Sequence, residues 1–401
     1  MSKVTGKKVV IEGSLAVAEA VKYCRPNVIS AYPITPQTHI VEDLAQMVAD
    51  GELKAEFVNT ESEFAAASVV FGASTAGART YTATTSQGLF LMFEVLWNMA
   101  GSRYPINLTC ANRAVSAPIN IWNDQQDSVS LRDAGWIQLY CEDAQEIHDF
   151  QPIAFKVAED PKVRLPIMTM MDGYVLTHTY EPVELMDQEL VDSYLPPYKP
   201  LVRLDTAHPV TLGAFAQPNT YHEIRYMLNR ALMGSKQVIA SAFKEFNETF
   251  NRDYAPFMEE YKAEDADVLV LSLGSVCGTI KDAVDELRKE GQKVGLVKLT
   301  MHRPFPKTEI RKALDRASVV AVLEKDISLG QEGIVATDVK SAFAGHDGPA
   351  VLSYVAGLGG RDIPVRDVKK VFSEAAAWKG KRAPDDPFWL ALNTGIIPEV
   401  R

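Results

Sequence analysis

Short runs of β-branched residues alternate with segments of helical period through the first half of the chain. The runs predict strands at 28–31, 56–58, 80–83, 106–110, 136–140 and 166–170. Apolar residues at helical spacing predict helices at 39–49, 62–76, 89–99 and 144–158. This alternation is typical of an α/β domain, in which helices cover both faces of a mostly parallel sheet.

The pattern changes after Glu181, where prolines at positions 196, 197, 200, 209 and 218 predict an ordered excursion or linker. Helical spacing returns with Ile239, Phe243, Phe246 and Phe250, which predicts a helix docked on a core or on a partner. A second α/β series then begins at 266–273 and continues with strands at 294–298, 319–323 and 351–355. We therefore predict two α/β domains, residues 1–220 and 265–401 with a C-terminal tail, joined by a helical linker at 221–264.

Composition narrows the class of protein. The 401 residues are 47% hydrophobic, which allows a large core, and the net charge of −11 argues against nucleic acid as a partner. No apolar run is long enough to span a membrane, and Glu12 and Glu19 interrupt the N-terminal apolar run, so no signal peptide is expected. We expect a soluble cytoplasmic protein.

The cysteines and histidines predict no metal site. The four cysteines are scattered without a C-x-x-C pair, which argues against an iron–sulfur cluster or zinc site built from this chain alone. The seven histidines show no metal-ligand spacing, and His178 and His302 are expected to be surface or internally hydrogen-bonded residues.

Polar motifs follow the predicted strands at 32–36, 59–63, 84–88 and 111–113. In open α/β sheets, ligands bind outside the carboxyl ends of the strands, so the shared position of these motifs favours a binding site. Prolines 33 and 36 stiffen the first turn around Thr35. The alternative is a helix-entry turn in which Thr35 or Thr38 serves only as a cap.

Two carboxylates, Glu61 and Glu63, lie at a predicted helix start, where the helix dipole favours them and Ser62 is a candidate cap. Glu63 precedes a small-residue face suited to close packing, so its carboxylate would need a hydrogen-bonded partner, which could belong to a cofactor.

The segment Thr84-Thr-Ser-Gln-Gly88 is either ordinary turn chemistry or a loop whose amides approach a ligand. Arg113 follows a predicted strand and can pair with a carboxylate, from a substrate or from a neighbouring side chain such as Asp124 or Asp127.

Other sites are excluded by their patterns. Met171-Asp-Gly173 is not the GDG of a thiamine-diphosphate site, the glycines at 357–360 do not form a dinucleotide fingerprint, and there is no P-loop.

Taken together, Tyr-Pro-Ile-Thr-Pro at 32–36, Asn-Thr-Glu-Ser-Glu at 59–63, Thr-Thr-Ser-Gln-Gly at 84–88 and the segment 112–124 resemble the α subunit of 2-oxoacid:ferredoxin oxidoreductases. The similarity covers nearly the whole chain, including 133–138 and 358–362, and is greatest to the multi-subunit pyruvate enzyme. It implies a thiamine-diphosphate-binding-type domain followed by a domain similar to the transketolase C-terminal domain.

The resemblance implies CoA-dependent oxidative decarboxylation of pyruvate, with electrons passed to ferredoxin, or the reverse synthesis. Glu63 would be the catalytic glutamate that binds the cofactor pyrimidine, Thr35 and Arg113 would bind the 2-oxoacid, and Ser86, Gln87 and Gly88 would contact the cofactor. A β subunit would carry the diphosphate and Mg²⁺ site, while γ- and δ-type ferredoxin-like subunits would carry iron–sulfur clusters.

Two alternatives stay open at this stage. The same kind of complex could act on 2-oxoisovalerate, 2-oxoglutarate or oxalate, with Ile34, Ile119 and Trp122 shaping a small apolar pocket. The chain could also be a non-catalytic α/β scaffold or a CoA- or nucleotide-binding protein.

Overall fold

The predicted alternation is present in the computed structural model, which describes residues 6–398. The ends of the predicted domains at 1–5 and 399–401 lie outside the described residues. The strands are β1 Lys8–Glu12, β2 Val28–Ala31, β3 Glu56–Asn59, β4 Thr80–Thr84, β5 Ile106–Asn112, β6 Ile137–Tyr140, β7 Ile167–Asp172, β8 Tyr180–Glu184, β9 Met258–Tyr261, β10 Val268–Ser272, β11 Val294–Leu299, β12 Met301–Arg303, β13 Val319–Glu324, β14 Ala350–Val355 and β15 Phe388–Trp389.

The helices are α1 Gly13–Tyr23, α2 Thr38–Ala49, α3 Glu63–Thr75, α4 Ser86–Leu91, α5 Phe93–Gly101, α6 Gln126–Val129, α7 Ala144–Glu159, α8 Gln188–Tyr194, α9 Pro218–Phe250, α10 Val276–Lys289, α11 Lys307–Leu314, α12 Ile334–Ala342 and α13 Val365–Ala376. Within the part of the chain that the structure describes, no helix has both the length and the apolar character needed to cross a bilayer.

The first sheet has the strand order β12-β6-β7-β5-β4-β2-β3, and its pairs are parallel except for β12 with β6. The chain passes from β2 to β3 on one side and then returns to place β4 on the other side of β2. The order therefore reverses between β2 and β4, and such a switch point opens a crevice at the carboxyl ends of the strands. This is where the turns after β2 and β4 lie.

The second sheet has the order β15-β14-β13-β10-β11-β9 and is parallel except for β9. Its apolar residues join those of the first sheet in one core, in which Trp136 and Met170 share a cluster with Leu271 and Val320. Strand β12 belongs to the second half of the sequence but pairs with β6 of the first sheet. The two sheets are thus joined by both packing and strand pairing.

The helix α9 connects the two series and is 33 residues long. The predicted stripe of Ile239, Phe243, Phe246 and Phe250 is buried, and Phe243 packs edge-on against Phe150 of α7 with ring centroids 5.1 Å apart. The stripe is therefore a core contact, as predicted. The exact domain boundaries at 220 and 264 stay predictions.

Several elements differ from the sequence-based expectation. The predicted helix at 89–99 is two consecutive helices, α4 and α5, which meet at Met92. The strands β1, β8, β9, β12 and β15 and the helix α1 were not predicted. Short edge strands carry little periodicity, and the small alanines of α1 (GSLAVAEAVKY) give it only a weak apolar stripe.

A buried ion pair joins the two halves of the fold. The Lys325 ammonium lies 2.8 Å from Asp172 at the end of β7, and the two side chains are 8% and 1% exposed. Asp172 also accepts hydrogen bonds from Ser275 and from the Gln125 amide. Burial opposes ionisation of Asp172, but Lys325 and these donors outweigh it and hold the pKa of the carboxyl below its usual range.

We expect Lys325→Met to lower the free energy of unfolding of the chain by about 3–5 kcal/mol, because Asp172 would remain as an uncompensated buried charge. The measurement is chemical denaturation followed by circular dichroism. Lys369→Met is the matched control, since Lys369 also forms an ion pair, with Glu286, but on the surface. Equal stability of the two variants would contradict the interdomain role of the Asp172–Lys325 pair.

Candidate active site

The turn after β2 places Thr35 at the switch point. The Thr35 carbonyl accepts a hydrogen bond of 2.8 Å from Arg113 Nη1, while the Thr35 side chain is exposed. Gln37 closes the turn: its Oε1 accepts from the Ile34 N–H, and its Nε2 donates to Ala83 O at 2.7 Å. The alternative in which Thr35 or Thr38 caps α2 is wrong, because Gln37 occupies the cap position and no side chain caps the helix.

Arg113 follows β5 and is 6% exposed. Its Nε donates to Asn120 O at 3.0 Å, so two backbone carbonyls from separate segments orient the guanidinium. Among residues 6–398, no carboxylate lies within ion-pair distance of it. Burial lowers the pKa of Arg113, and the nearby charge of Asp127 only partly opposes this effect. The site thus contains a buried cation without an anion.

The predicted pairing of Arg113 with Asp124 or Asp127 is not formed. Asp124 instead accepts from the Gly359 and Gln126 N–H groups, at 3.1 and 3.2 Å. Asp127 accepts from the Arg113 backbone N–H at 3.0 Å, not from its guanidinium. Both carboxylates accept hydrogen bonds from backbone N–H groups, and neither forms an ion pair with the Arg113 guanidinium.

Asp127 is fully buried and joins several turns. Its Oδ2 accepts from the N–H groups of Ser86 and Arg113, and its Oδ1 accepts from Asn112 Nδ2 at 2.7 Å and from the Ser128 N–H. Burial raises the pKa of Asp127, and these hydrogen bonds oppose that shift. Asp127 thus holds the turns after β4 and β5 together, a role that its position in the sequence does not indicate.

Glu63 begins α3, and Ser62 caps this helix as predicted, its Oγ accepting from the Ala65 N–H at 3.2 Å. The Glu63 side chain is 7% exposed, yet within the described part of the chain no donor binds its carboxylate. Neither carboxylate oxygen is among the fully buried unpartnered atoms of the described structure, so the group is open to a hydrogen-bond donor from outside the chain.

Gly88 makes room for this carboxylate. A Cβ at position 88 would lie 2.7 Å from Glu63 Oε1 and 2.5 Å from Thr84 Oγ1. The Thr84 hydroxyl is itself buried, with no hydrogen-bond partner in the described structure. The structure thus brings Glu63 together with the predicted loop at 84–88.

Ser86 and Gln87 occupy the same turn in different ways. Ser86 is buried with a positive φ of 45°, and its Oγ lies 2.6 Å from both Ala114 O and Gln87 Oε1. A non-glycine residue in this region is uncommon and requires support from its surroundings, which Asp127 and Ala114 supply. Contacts of Ser86, Gln87 and Gly88 with a cofactor stay predictions.

Large apolar side chains are exposed around these turns. Tyr32, Phe64 and Leu91 are 37%, 42% and 51% exposed. Tyr32 begins the first strand-end motif, Phe64 follows the second, and Leu91 ends α4, which begins within the third. Ile119 and Trp122, expected to line an apolar pocket, are 79% and 53% exposed. This chain therefore does not close that pocket by itself, and the exposed residues are typical of a surface covered by another molecule.

A cavity of about 370 Å³ lies beside the site, between the two sheets. Asn123, Ser275, Lys325 and Arg361 are among its lining residues. Asn123 connects it to the site, since its amide donates to Asn112 O at 3.3 Å and its Oδ1 accepts from Lys325. The cavity thus lies next to the Arg113 turn, and charged residues of both signs, Lys325, Arg361 and Asp362, line it.

Comparison with known families and sequences gives consistent matches. Residues 19–244 match the family described as pyruvate flavodoxin/ferredoxin oxidoreductase, thiamine diphosphate-binding, and residues 266–368 match pyruvate:ferredoxin oxidoreductase core domain II. The chain is 52% identical over 371 residues to pyruvate synthase subunit PorA of Methanosarcina barkeri, covering 92% of each chain. It is 46% identical to ketoisovalerate oxidoreductase subunit VorA of Pyrococcus horikoshii, covering 91% of this chain and 92% of that one.

Two solved structures share the fold. The 2-oxoglutarate:ferredoxin oxidoreductase of Magnetococcus marinus, determined with 2-oxoglutarate, coenzyme A and succinyl-CoA bound, superposes with a TM-score of 0.69 at 20% identity, over 92% of this chain and 65% of that chain. A split-gene transketolase in an inactive β4 tetramer superposes with a TM-score of 0.54 at 13% identity, over 92% of this chain and 97% of that one. At these identities the likeness concerns the fold alone.

Proposed function

Because the chain belongs to the pyruvate flavodoxin/ferredoxin oxidoreductase family, we propose that it is the α-type subunit of a 2-oxoacid:ferredoxin oxidoreductase that acts on pyruvate. The resemblance predicted from the strand-end motifs and the α/β fold class are confirmed. The reaction is CoA-dependent oxidative decarboxylation of pyruvate to acetyl-CoA and CO₂ with electrons passed to ferredoxin, or the reverse synthesis.

One observation carries the proposal: the same edge of the sheet holds a buried cation without an anion and a buried carboxylate without a donor. Arg113 is fixed by carbonyl oxygens alone, and Glu63 is bound by none of the donors in the described chain. A small anionic substrate and a cofactor with a hydrogen-bond donor would satisfy both groups. A scaffold would have no need of either group.

The residues fit thiamine diphosphate, whose thiazolium supplies the carbon that adds to a 2-oxoacid and stabilises the charge left by decarboxylation. Glu63 would hydrogen-bond the ring nitrogen N1′ of the aminopyrimidine and set its protonation state. Gly88 leaves space at Glu63 Oε1, and the unpartnered Thr84 hydroxyl lies close to that space. Ser86 and Gln87 would shape the turn against the pyrimidine.

Arg113 would bind the carboxylate of the 2-oxoacid, because its guanidinium has donors left beyond those used by Thr35 O and Asn120 O. The exposed Thr35 side chain stands on the same turn and would contact the substrate. Since two carbonyls already fix the guanidinium, little side-chain entropy is lost when the substrate binds.

The exposed apolar residues support a site shared with other chains. Tyr32, Phe64 and Leu91 surround the strand ends and would be covered by a β subunit that carries the cofactor diphosphate and Mg²⁺. The γ- and δ-type subunits would supply the iron–sulfur clusters that pass electrons to ferredoxin. The four cysteines are free and buried, which suits a reducing cytoplasm.

A branched 2-oxoacid such as 2-oxoisovalerate is the second candidate substrate. The relative named ketoisovalerate oxidoreductase is 46% identical to this chain, and the wall formed by Ile119 and Trp122 is open here. The ratio of kcat/KM for pyruvate and 2-oxoisovalerate, measured on the assembled complex, decides between the two.

We expect Glu63→Gln to lower the rate of 2-oxoacid oxidation at least about 100-fold in the assembled complex, because a neutral amide cannot set the protonation state of the pyrimidine. The assay is CoA-dependent reduction of a viologen dye by pyruvate. Glu61→Gln is the matched control, since Glu61 is exposed two residues earlier and should leave the rate near normal. Near-normal turnover by Glu63→Gln would refute the catalytic role of Glu63.

Arg113→Ala should raise the KM for pyruvate by about 10- to 100-fold, which corresponds to loss of one charge-assisted hydrogen-bonded contact. The KM for CoA should stay unchanged, because the guanidinium is aimed at the 2-oxoacid. Steady-state kinetics with each substrate varied in turn give both values, and Arg366→Ala, an exposed arginine, is the control. Equal changes in both KM values would rule out the carboxylate-binding role.

Phe64→Asp should weaken assembly with the β subunit, because a charge would be buried in the interface next to Glu63. Copurification of the subunits after co-expression, followed by size-exclusion chromatography, measures the effect. Val10→Asp changes an equally apolar exposed residue on β1 and is expected to leave assembly intact. If Phe64→Asp copurifies as well as the native chain, this face is not the interface.

A further inference from the structure

Three potential metal ligands from distant parts of the chain meet on the surface near the Thr35 turn. Glu12 ends β1, His39 is in the first turn of α2, and His178 follows β7. One ligand atom of each lies within 4.8 Å of those of the other two. None of the three side chains is buried, so the cluster is reachable from solvent.

Local hydrogen bonds orient the two histidine rings. His39 Nδ1 lies 2.7 Å from Glu12 Oε1, and the rings of His39 and His178 are 4.8 Å apart between centroids. Thr177 Oγ1 lies 2.7 Å from His178 Nδ1 and also accepts from the Tyr174 N–H. In this position Oγ1 can accept Nδ1–H as well, which leaves the His178 Nε2 lone pair free, an arrangement common among metal-binding histidines.

A second cluster, made of three glutamates, differs from this one because it already contains a cation. Glu142, Glu146 and Glu259 also approach one another closely, but the Lys298 ammonium lies 2.8, 2.5 and 2.9 Å from them and serves as their cation. Within residues 6–398, no lysine or arginine pairs with Glu12, and its one ion-pair contact is His39.

We propose that Glu12, His39 and His178 form a binding site for a divalent transition metal ion of the Zn²⁺ type. Two imidazoles and one carboxylate suit Zn²⁺ or Co²⁺ rather than Mg²⁺ or Ca²⁺, which prefer oxygen ligands. Metal binding replaces the Glu12–His39 hydrogen bond: Oε1 and Nδ1 turn to the ion, and the neutral imidazole keeps its one N–H on Nε2. Water completes the coordination.

The site would connect segments that support the substrate turn. His39 is two residues beyond Gln37, whose side chain closes the turn of Thr35. The segment leading to His178 begins at Gly173, where a Cβ would lie 2.6 Å from Pro36 Cγ. A bound metal would therefore join α2 to the segment after β7 and hold Pro36 between them, as a structural clamp rather than a catalytic centre.

Cobalt titration of the full-length chain, purified with a chelator and then freed of it, tests the proposal. We expect one Co²⁺ per chain, a visible d–d absorption band, displacement by Zn²⁺ and no displacement by excess Mg²⁺. Separate His39→Ala and His178→Ala variants should each lose at least about tenfold in affinity. His208→Ala and His222→Ala, two exposed histidines outside the cluster, should bind as the native chain does.

The change in melting temperature on addition of Zn²⁺ is a second measurement, and it can be made even if a variant is less stable than the native chain. The native chain and both control variants should gain melting temperature with Zn²⁺, whereas His39→Ala and His178→Ala should gain none. Absence of stoichiometric Co²⁺ binding by the native chain would overturn the proposal. Equal affinity of all four variants would overturn it as well, because binding would then lie elsewhere.

Discussion

The candidate active site depends on one buried carboxylate. Asp127 accepts the backbone N–H groups of Ser86 and Arg113, and it also binds the side chain of Asn112. Asp127 thereby holds the turn after β4 and the turn after β5 next to each other through their backbone N–H groups. Because these donors occupy Asp127, the Arg113 guanidinium is left to carbonyl oxygens and to whatever anion enters. The Asp127 carboxylate and the Arg113 guanidinium therefore do not form an ion pair, although the two residues are neighbours in space.

The topology determines where this arrangement can act. Reversal of strand order between β2 and β4 opens the crevice, and the buried Asp172–Lys325 pair fixes the second sheet beside it. Glu63 and Arg113 then share one edge of the first sheet, each lacking the partner that a free-standing protein would provide. The exposed apolar side chains around them support the proposal that these partners come from outside the chain. The strand topology, the unpaired charges and the exposed apolar surface are all consistent with a site that is completed only when this chain assembles with other subunits.

The sequence predicted the series of strands and helices well where periodicity was strong, and the motifs at strand ends located Thr35, Glu63, Gly88 and Arg113 on one edge. It could not predict β12 joining the first sheet, because strand pairing across that distance leaves no local pattern. The role of Asp127 was also missed, since an aspartate after a strand looks the same whether it meets a guanidinium or backbone amides. The cluster of Glu12, His39 and His178 could not be predicted either, because only the fold brings these three distant residues together.

The way Arg113 is held has a consequence for work in solution. If Arg113 binds the substrate carboxylate as proposed, a guanidinium tied to carbonyl oxygens gives up no internal salt bridge when an anion arrives, so the site would not discriminate strongly among small carboxylates by charge alone. Acetate, formate or citrate in a buffer would occupy it at the expense of the 2-oxoacid. Apparent Michaelis constants for this enzyme class would then vary with the choice of buffer anion, and kinetic comparisons between preparations become meaningful in media free of carboxylates.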